Sequence, residues 1–368
     1  MKVTTLQENL QRALACVSRI IPTRSQVPAL QNVLLQTHEN RIMLVGTSLD
    51  TTIVYWMDGK IEQDGAVCVP ARVFGEFVAT LPPEKVIMEA GEGELRVKSG
   101  TFAASLASSP QSEFPPPPPA GKDPTARVAT EIFTKALGRA LFAAATDEAR
   151  PILSGIRFSQ KKTETMLVAT DGYRLSQVSS ALALAKDFDA VIPAKALAEV
   201  LRLSKEAGGH DHVGFLMTVE GQLVFIVGEA EVFTRRVDGE FPGVEKIIPK
   251  TFTTRAVVDV EALVRAVKSA AIFARDNSNI IRLTIDKSGI VVSANTPSVG
   301  ENKIEVSCSV EGDGGEIAFN SRFLLEYFAA VSADQISFEM TGSLNPGAFR
   351  PVGDESFLHI IMPVRVQG

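Results

Sequence analysis

At 368 residues, 45% of them hydrophobic, the chain is too long for one ordinary core and too apolar for disorder; two or three folded domains are expected. A formal charge of -6 excludes a uniformly basic coat but leaves room for an acidic exterior with one basic surface. No run approaches the roughly 18 apolar residues of a membrane-crossing helix, and no CxxC pair links Cys16, Cys68 and Cys308. The cysteines read as buried apolar residues of a reduced cytoplasmic protein, and the His210-Asp211-His212 run lacks a third metal ligand; neither a metal nor a cofactor is expected.

In chain order, the opening MKVTTLQENLQRALACVSRI does not read as a secretory signal, because Leu10, Leu14 and Val17 are spaced as on one helix face. "IMLVGTSLDTTIVY" is an apolar strand that breaks at a polar turn beside Thr47 and restarts. "VCVPARVFGEFVATLP", from residue 67, is a short strand running through Pro70 into a helix; proline suits a first turn whose N–H has no partner. After the strand "LRVKSG", the run "EFPPPPPAGKDP" at 113–124 predicts an extended, semi-rigid connector.

The same order then restarts. Leu137, Leu141 and Ala144 form the next helical stripe, and "MLVATDGYRLS" repeats the strand–break–strand with Thr170 placed 123 residues after Thr47. "DAVIPAKALAEVLRLS" from 189 runs through Pro193 into a helix, and "EFP" recurs at 240–242 before a second junction. A third pass brings Leu263, Val267 and Ala270, then "GIVVSANTPS", then "GEIAFNSRFLLEYFAAVS" from 315, where Asn320 stands in the proline's place as a cap. Self-similarity at this period predicts three α+β units, at 1–120, 125–250 and 251–368, each with two helices and antiparallel sheets.

Basic residues follow the repeat. Arg12, Arg139 and Arg265 are separated by 127 and 126 residues, on the helix face opposite the apolar stripe. Arg72, Lys195 and Arg322 each stand two residues after the helix-starting Pro or Asn. The six helical stretches sum to a charge of +4, leaving -10 elsewhere, which fits a polyanion passing along helices that read phosphate and not base identity. An enzyme built on Asp171, Arg174 and Asp147 would need a paired carboxylate, nucleophile or metal that the sequence does not supply, and the glycines of "GEGELRVKSG" make no phosphate cradle. A repeat scaffold that binds proteins without DNA shares every feature except the basic register.

The stretches "RPILSGIRF" (150–158), "VATDGYRLS" (168–176), "VDGEFPGVEKIIP" (237–249), "IAFNSRFLLEYF" (317–328) and "IIMPVRV" (360–366) together resemble the bacterial DNA sliding-clamp family, the beta subunit of the replicative DNA polymerase III holoenzyme, over essentially the whole chain. The resemblance implies a head-to-tail homodimeric ring with helices on the inner face and sheets outside. Such a ring is a non-catalytic processivity factor that encircles double-stranded DNA and slides without sequence specificity. It also implies a pocket between the second and third domains for short linear peptides. Their sources would be the polymerase catalytic subunit, clamp-loader subunits, translesion polymerases, and mismatch-repair and ligase-type proteins.

By motif the pocket would comprise Leu153, Thr170, Gly172, Tyr173, Arg174, Leu175, Pro242, Lys246 and Ile247. The third domain would add Asn320, Phe323, Leu344, Ile360, Ile361, Met362, Pro363, Val364, Arg365 and Val366. Arg24 and Arg150 join the six helix residues as expected DNA contacts, and Leu106, Ile272 and Phe273 are the expected dimer anchors. Tyr173, Phe323 and Lys246 depart from the family's common histidine, tyrosine and arginine, and Gln367 and Gly368 extend the usual end, which bears on peptide preference. No membrane partner is expected, and the location implied is the cytoplasm, with the nucleoid.

Overall fold

The computed structural model describes every residue except 148, 163, 185–187, 207–209, 299 and 366–368. The element order repeats three times. The first pass runs β1 (Lys2–Leu6), α1 (Gln7–Val17), β2 (Asn32–His38), β3 (Arg41–Thr47), β4 (Thr51–Met57), a short β5 (Lys60–Gln63), β6 (Ala66–Pro70), α2 (Ala71–Ala79), β7 (Lys85–Ala90), β8 (Glu94–Ser99) and β9 (Phe102–Ala107). The second runs β10 (Ala126–Ala129), α3 (Thr130–Ala140), β11 (Gly155–Lys161), β12 (Glu164–Thr170), β13 (Arg174–Ser180), β14 (Asp189–Pro193), α4 (Ala194–Glu206), β15 (His212–Met217), β16 (Leu223–Val227) and β17 (Ala230–Thr234). The third runs β18 (Thr254–Asp259), α5 (Val260–Ala274), β19 (Ile280–Asp286), β20 (Gly289–Thr296), β21 (Gly300–Val306), a short β22 (Ser309–Gly312), β23 (Gly315–Asn320), α6 (Ser321–Ala330), β24 (Gln335–Met340), β25 (Gly347–Pro351) and β26 (Phe357–Ile361).

By spatial contact the chain forms two compact units, residues 1–131 with 198–236, and 132–197 with 237–368. The division cuts through the second repeat because strands of neighbouring repeats pair. In the first unit an eight-stranded sheet runs β10-β15-β16-β17-β4-β3-β2-β6, beside a five-stranded sheet β5-β1-β7-β8-β9. In the second, a nine-stranded sheet runs β14-β11-β12-β13-β26-β25-β24-β18-β22, beside a four-stranded sheet β21-β20-β19-β23. The two joints between repeats, β17 with β4 and β26 with β13, share one register: Ala230 faces Tyr55 as Phe357 faces Val178. Their remaining counterparts, β9 and β21, pair on one side only, with β8 and β20.

The helices correct the expected register in the second repeat. Buried positions are Leu10, Ala13, Leu14 and Val17 on α1, and Leu263, Ala266, Val267 and Ala270 on α5. On α3 they are Phe133, Ala136, Leu137 and Ala140. Counted from each helix start the sets coincide, so the stripe Leu137, Leu141, Ala144 lies one turn too late. The regular helix stops at Ala140, and Leu141 belongs to the single 3₁₀ turn Leu141–Ala143. Four apolar residues at i, i+4 spacing offer both registers, and only packing chooses between them.

The prolines also sit one residue earlier than expected. Pro70 is the N-cap of α2, and Pro193 ends β14 before α4 begins at Ala194. Asn320 caps α6 through its side chain, accepting from the Arg322 N–H at 2.9 Å. Asn320→Ala is expected to lower stability by about 1 kcal/mol, measured by urea unfolding, because one helix-end N–H then loses its acceptor.

The two "EFP" runs prove to be connector anchors. Phe114 is buried among Leu34, Val45, Val54, Trp56 and Phe233 of the first unit. Phe241 is buried among Val168, Leu175, Leu358 and Ile360 of the second. Each buried ring contributes about 2 kcal/mol of apolar transfer and pins its connector to the sheet. All three cysteines are free; burial raises the Cys16 thiol to about 12 and the Cys68 thiol to about 11, whereas Cys308 is only half-buried. Among the described residues no helix is long and apolar enough to cross a membrane, and no acidic, histidine or cysteine cluster could hold a metal.

Candidate functional site

The basic positions fall into two classes. Arg12, Arg24, Arg72, Arg150, Lys195, Arg265 and Arg322 are exposed. Arg72 and Arg265 make i,i+4 pairs with Glu76 (2.9 Å) and Glu261 (2.6 Å), solvated contacts that exchange readily for phosphate oxygens. Arg139 does not belong with them. It is 5% exposed, bonded to Asp354 at 2.8 Å and to Ser356 Oγ at 3.3 Å, with its guanidinium 5.1 Å from the Phe357 ring centre. Burial pushes the Asp354 carboxyl up, but hydrogen bonds from Ser356 and Arg139 outweigh it and hold the group below its usual value.

The corrected register explains the misplacement. Arg12 and Arg265 are the sixth residues of α1 and α5, and the sixth residue of α3 is Lys135, which is exposed. The signal was present in the sequence as the alternative alignment of Phe133 and Leu137 with Leu10 and Leu14. Arg72, Lys195 and Arg322 remain equivalent as expected, each second in its helix.

The turn between β12 and β13 separates residues that hold the chain from those that face out. Asp171 Oδ1 accepts from the N–H groups of Tyr173 (2.8 Å) and Arg174 (3.0 Å). Thr170 Oγ1 accepts from the Gly172 N–H at 3.1 Å and donates to the Arg174 carbonyl at 2.6 Å. Gly172 lies at φ +92°, a left-handed conformation that glycine enters without steric cost. Arg150 Nη2 donates to the Asp171 carbonyl at 3.0 Å, so this expected DNA contact also braces the turn.

Arg174 is a brace and not a rim residue, contrary to expectation. Only 8% exposed, it donates from Nε to Asp171 Oδ2 (3.0 Å), from Nη1 to Glu326 and from Nη2 to the Phe142 carbonyl (2.6 Å). Its guanidinium lies 4.5 Å from the Phe323 ring centre and 5.5 Å from that of Phe142. Five planar donors in one fork satisfy three elements at once, which a lysine could not do.

What remains exposed is an apolar surface at one end of the nine-stranded sheet. Arg174 and Gly347 both register with Ile361, so the 171–173 turn, the 341–346 loop and the segment after β26 leave the sheet together. Met362 N–H donates to the Tyr173 carbonyl at 2.8 Å, and Val364 N–H to the Ala318 carbonyl at 2.9 Å. Tyr173 (62% exposed), Leu344 and Met362 present apolar area there, and Ile247 is exposed in the turn after Val244, which packs with Leu175, Leu358 and Ile360. Pro242, Lys246 and Arg365 are exposed too, while Asn320, Phe323, Pro363 and Val364 are half-buried. Leu153, Thr170, Leu175, Ile360 and Ile361 are buried and support this surface from beneath, and Val366 lies outside the described residues.

Behind Arg174 sits a buried aromatic cluster. The His359 ring stacks on Tyr327 (5.1 Å between centres, 10° between planes) and lies 5.1 Å from Phe142. Burial, reinforced by the Arg174 charge, lowers the imidazole to about 3, so it is neutral at physiological pH. At the open edges, Ile272 on α5 is exposed and Phe273 half-buried. Leu106 on β9 is instead buried against its own sheet, and the large apolar side chain that the strand exposes is Phe102.

Comparison with known proteins places this architecture. The profiles for the DNA polymerase III beta subunit match in sequence along the chain: the N-terminal domain at 1–118, the central domain at 127–243 and the C-terminal domain at 245–365. The chain belongs to the DNA polymerase III beta subunit family. It is a sliding clamp, a non-catalytic processivity subunit.

The beta sliding clamp of Synechococcus elongatus is 27% identical with both chains fully covered, and that of Staphylococcus aureus 26% with 94% of each covered. The crystal structure of the Bacillus subtilis DNA polymerase sliding clamp superposes with a TM-score of 0.92 at 25% identity, all of both chains matched. A Bartonella birtlesii clamp solved with griselimycin bound gives 0.93 at 27%, again over both full chains. Lys135, the positional equivalent of Arg12 and Arg265, is hidden in the sequence by alignment to the wrong helical turn, and Phe102 because a strand pattern does not say which apolar residue the sheet leaves uncovered.

Proposed function

We propose that two copies of this clamp close head to tail into a ring of six repeats around double-stranded DNA. The supporting observation is the shared joint register. β17 pairs β4 and β26 pairs β13, so β9 of one copy pairing β21 of the other would complete the series. A head-to-tail contact closes only if its rotation does, and three repeats per chain allow that with two copies. Phe102, Ile272 and Phe273 are the apolar groups this joint would bury, with Leu106 supporting from within its sheet. The modules are the three repeats, 1–120, 125–250 and 251–368.

DNA would be held by charge without base readout, through Arg12, Lys135 and Arg265, Arg72, Lys195 and Arg322, with Arg24 and Arg150 beside them. The apolar surface around Tyr173, Ile247, Leu344 and Met362 would take a short extended peptide. The polymerase catalytic subunit, clamp-loader subunits, translesion polymerases, and mismatch-repair and ligase-type proteins would compete for it at the nucleoid, in the cytoplasm. A relative solved with griselimycin bound supports a clamp that accepts ligands.

The deciding measurement is retention on DNA. The loaded protein is expected to stay on closed circular duplex and to run off once the circle is cut, whereas an ordinary binder would show no difference. Replacing Arg12, Lys135 and Arg265 together by alanine, which removes three cations from each of the two copies, is expected to weaken retention at low salt and to flatten the salt dependence by up to about five units of slope. An unchanged slope would contradict the DNA-facing assignment, and equal retention on cut circles would contradict the ring.

A further inference from the structure

We infer, resting on the peptide-pocket reading above, that the first unit carries a second peptide groove, selective for an extended segment with an apolar side chain next to a carboxylate. A groove of about 300 Å³ opens between the β3–β4 turn region (Val45, Leu49, Thr52) and the connector Pro115–Pro118, with Gln222 and Arg235 also lining it. That volume is at the lower end of the range that holds small ligands.

Its parts are the first-unit counterparts of the apolar surface in the second unit. Thr47 precedes Thr170 by 123 residues, and Pro115 and Arg235 precede Pro242 and Met362 by 127 each. Gln222 lies in the β15–β16 hairpin as Leu344 lies in the β24–β25 hairpin. The turns share the bonds of their threonines. Thr47 Oγ1 accepts from the Leu49 N–H at 3.1 Å, as Thr170 Oγ1 does from Gly172 at 3.1 Å. Both turn residues are left-handed, Leu49 at φ +77° and Gly172 at +92°. Glycine would sit there without strain, yet this turn holds a leucine that is 60% exposed.

The proline wall is fixed at both ends. Phe114 is buried in the core, and the Gly121 N–H donates to Glu231 Oε1 at 2.9 Å and Oε2 at 3.1 Å. Prolines offer ring faces and carbonyl acceptors but no N–H. An extended peptide can therefore donate to this wall while its apolar side chain packs on Leu49 and the rings. Charge distinguishes the two grooves. Arg235 takes the place of Met362, is exposed, and among the described residues no carboxylate pairs with it. A peptide carboxylate would complete a charge-assisted hydrogen bond at this position, where the equivalent Met362 offers only a thioether and the exposed cations Lys246 and Arg365 of the second unit stand at other positions.

The test uses the full chain and a photo-crosslinkable hexapeptide with two leucines followed by an aspartate, beside a matched asparagine version. Crosslinks from the aspartate peptide are expected within 45–52 or 115–118 as well as near Tyr173 and Met362. Arg235→Ala is expected to weaken the first-unit crosslinks about tenfold for the aspartate peptide. It should leave the asparagine peptide, the second-unit crosslinks and the unfolding curve unchanged. Leu49→Gly, which removes the side chain and relieves the backbone, is expected to reduce both peptides at the first unit. Crosslinks confined to the second unit, or first-unit crosslinks indifferent to Arg235→Ala, would overturn the inference. First-unit crosslinks without any in the second unit would uphold it and overturn the pocket assigned there.

Discussion

Arg174→Ala is expected to lower the free energy of unfolding by about 3 kcal/mol, the scale of breaking a buried charge pair from one side. Its partners lose unequally. Glu326 is half-exposed and returns to water at small cost, whereas Asp171 and the Phe142 carbonyl are left largely enclosed without their donor. Arg174→Lys is expected to recover less than half of the loss, because one ammonium cannot reach three acceptors on separate elements. Urea unfolding at neutral pH reads the difference, and a change below about 1 kcal/mol for the alanine variant would contradict the brace. The Tyr173 turn shares Asp171 with this network, so loss of peptide binding in the same variant is expected to follow stability and not a direct contact.

Acid is expected to destabilise the chain well above the range where carboxylates protonate, through His359. The folded chain holds its imidazole near 3, against an ordinary value of 6.5. The unfolded chain therefore binds more protons between these limits. Stability is complete above about 6.5 and falls as pH drops, by about 1.4 kcal/mol per unit from this one group. Between pH 7 and pH 4.5 the loss is expected to reach about 3 kcal/mol. Asp354, held below its usual value, adds to the loss only at still lower pH, while buried Glu231, raised above its usual value, works in the opposite direction at the acid end of the window; the difference between wild type and a His359 variant therefore isolates the histidine. His359→Phe keeps a ring against Tyr327 and removes the titration; its unfolding energy is expected not to fall as pH drops across that window. A wild-type profile parallel to the variant's there would refute the buried neutral imidazole. Neither His359 nitrogen has a partner among the described residues, so the variant has no hydrogen bond to lose.

Much of the fold was legible in the sequence because the repeat is. A strand that breaks at Thr47 and again at Thr170 is a local pattern of apolar runs and turn chemistry, and the structure returns it as two like-shaped turns. The pairs Pro70–Pro193 and Phe114–Phe241 are likewise visible as spacing, although the first proved to be caps and the second anchors. Arg139 shows where such reasoning ends. It is a basic residue at a plausible interval, and a helix that is apolar at several i, i+4 positions can be aligned one turn off without violating any local rule. Asp354, Ser356 and Phe357, more than two hundred residues away, decide that its charge points inward. The 171–174 turn shows the same limit, since Tyr173 and Arg174 are neighbours in sequence but one is exposed and the other buried.

The sequence by itself determined the three-part α+β order, the strand-to-helix junctions, the basic positions at the second residue of α2, α4 and α6, and the acidic balance elsewhere. Each depends on short-range spacing, which the backbone periodicities of helix and strand translate directly into faces. The tertiary structure alone decided the helical register of α3, which sets Lys135 and not Arg139 level with Arg12 and Arg265, the burial of Arg174, His359 and Leu106, and the groove between Leu49, the Pro115–Pro118 connector and Arg235. These depend on which distant groups compete for the same space and the same hydrogen bonds, and desolvation makes that choice only once the sheets have closed around them.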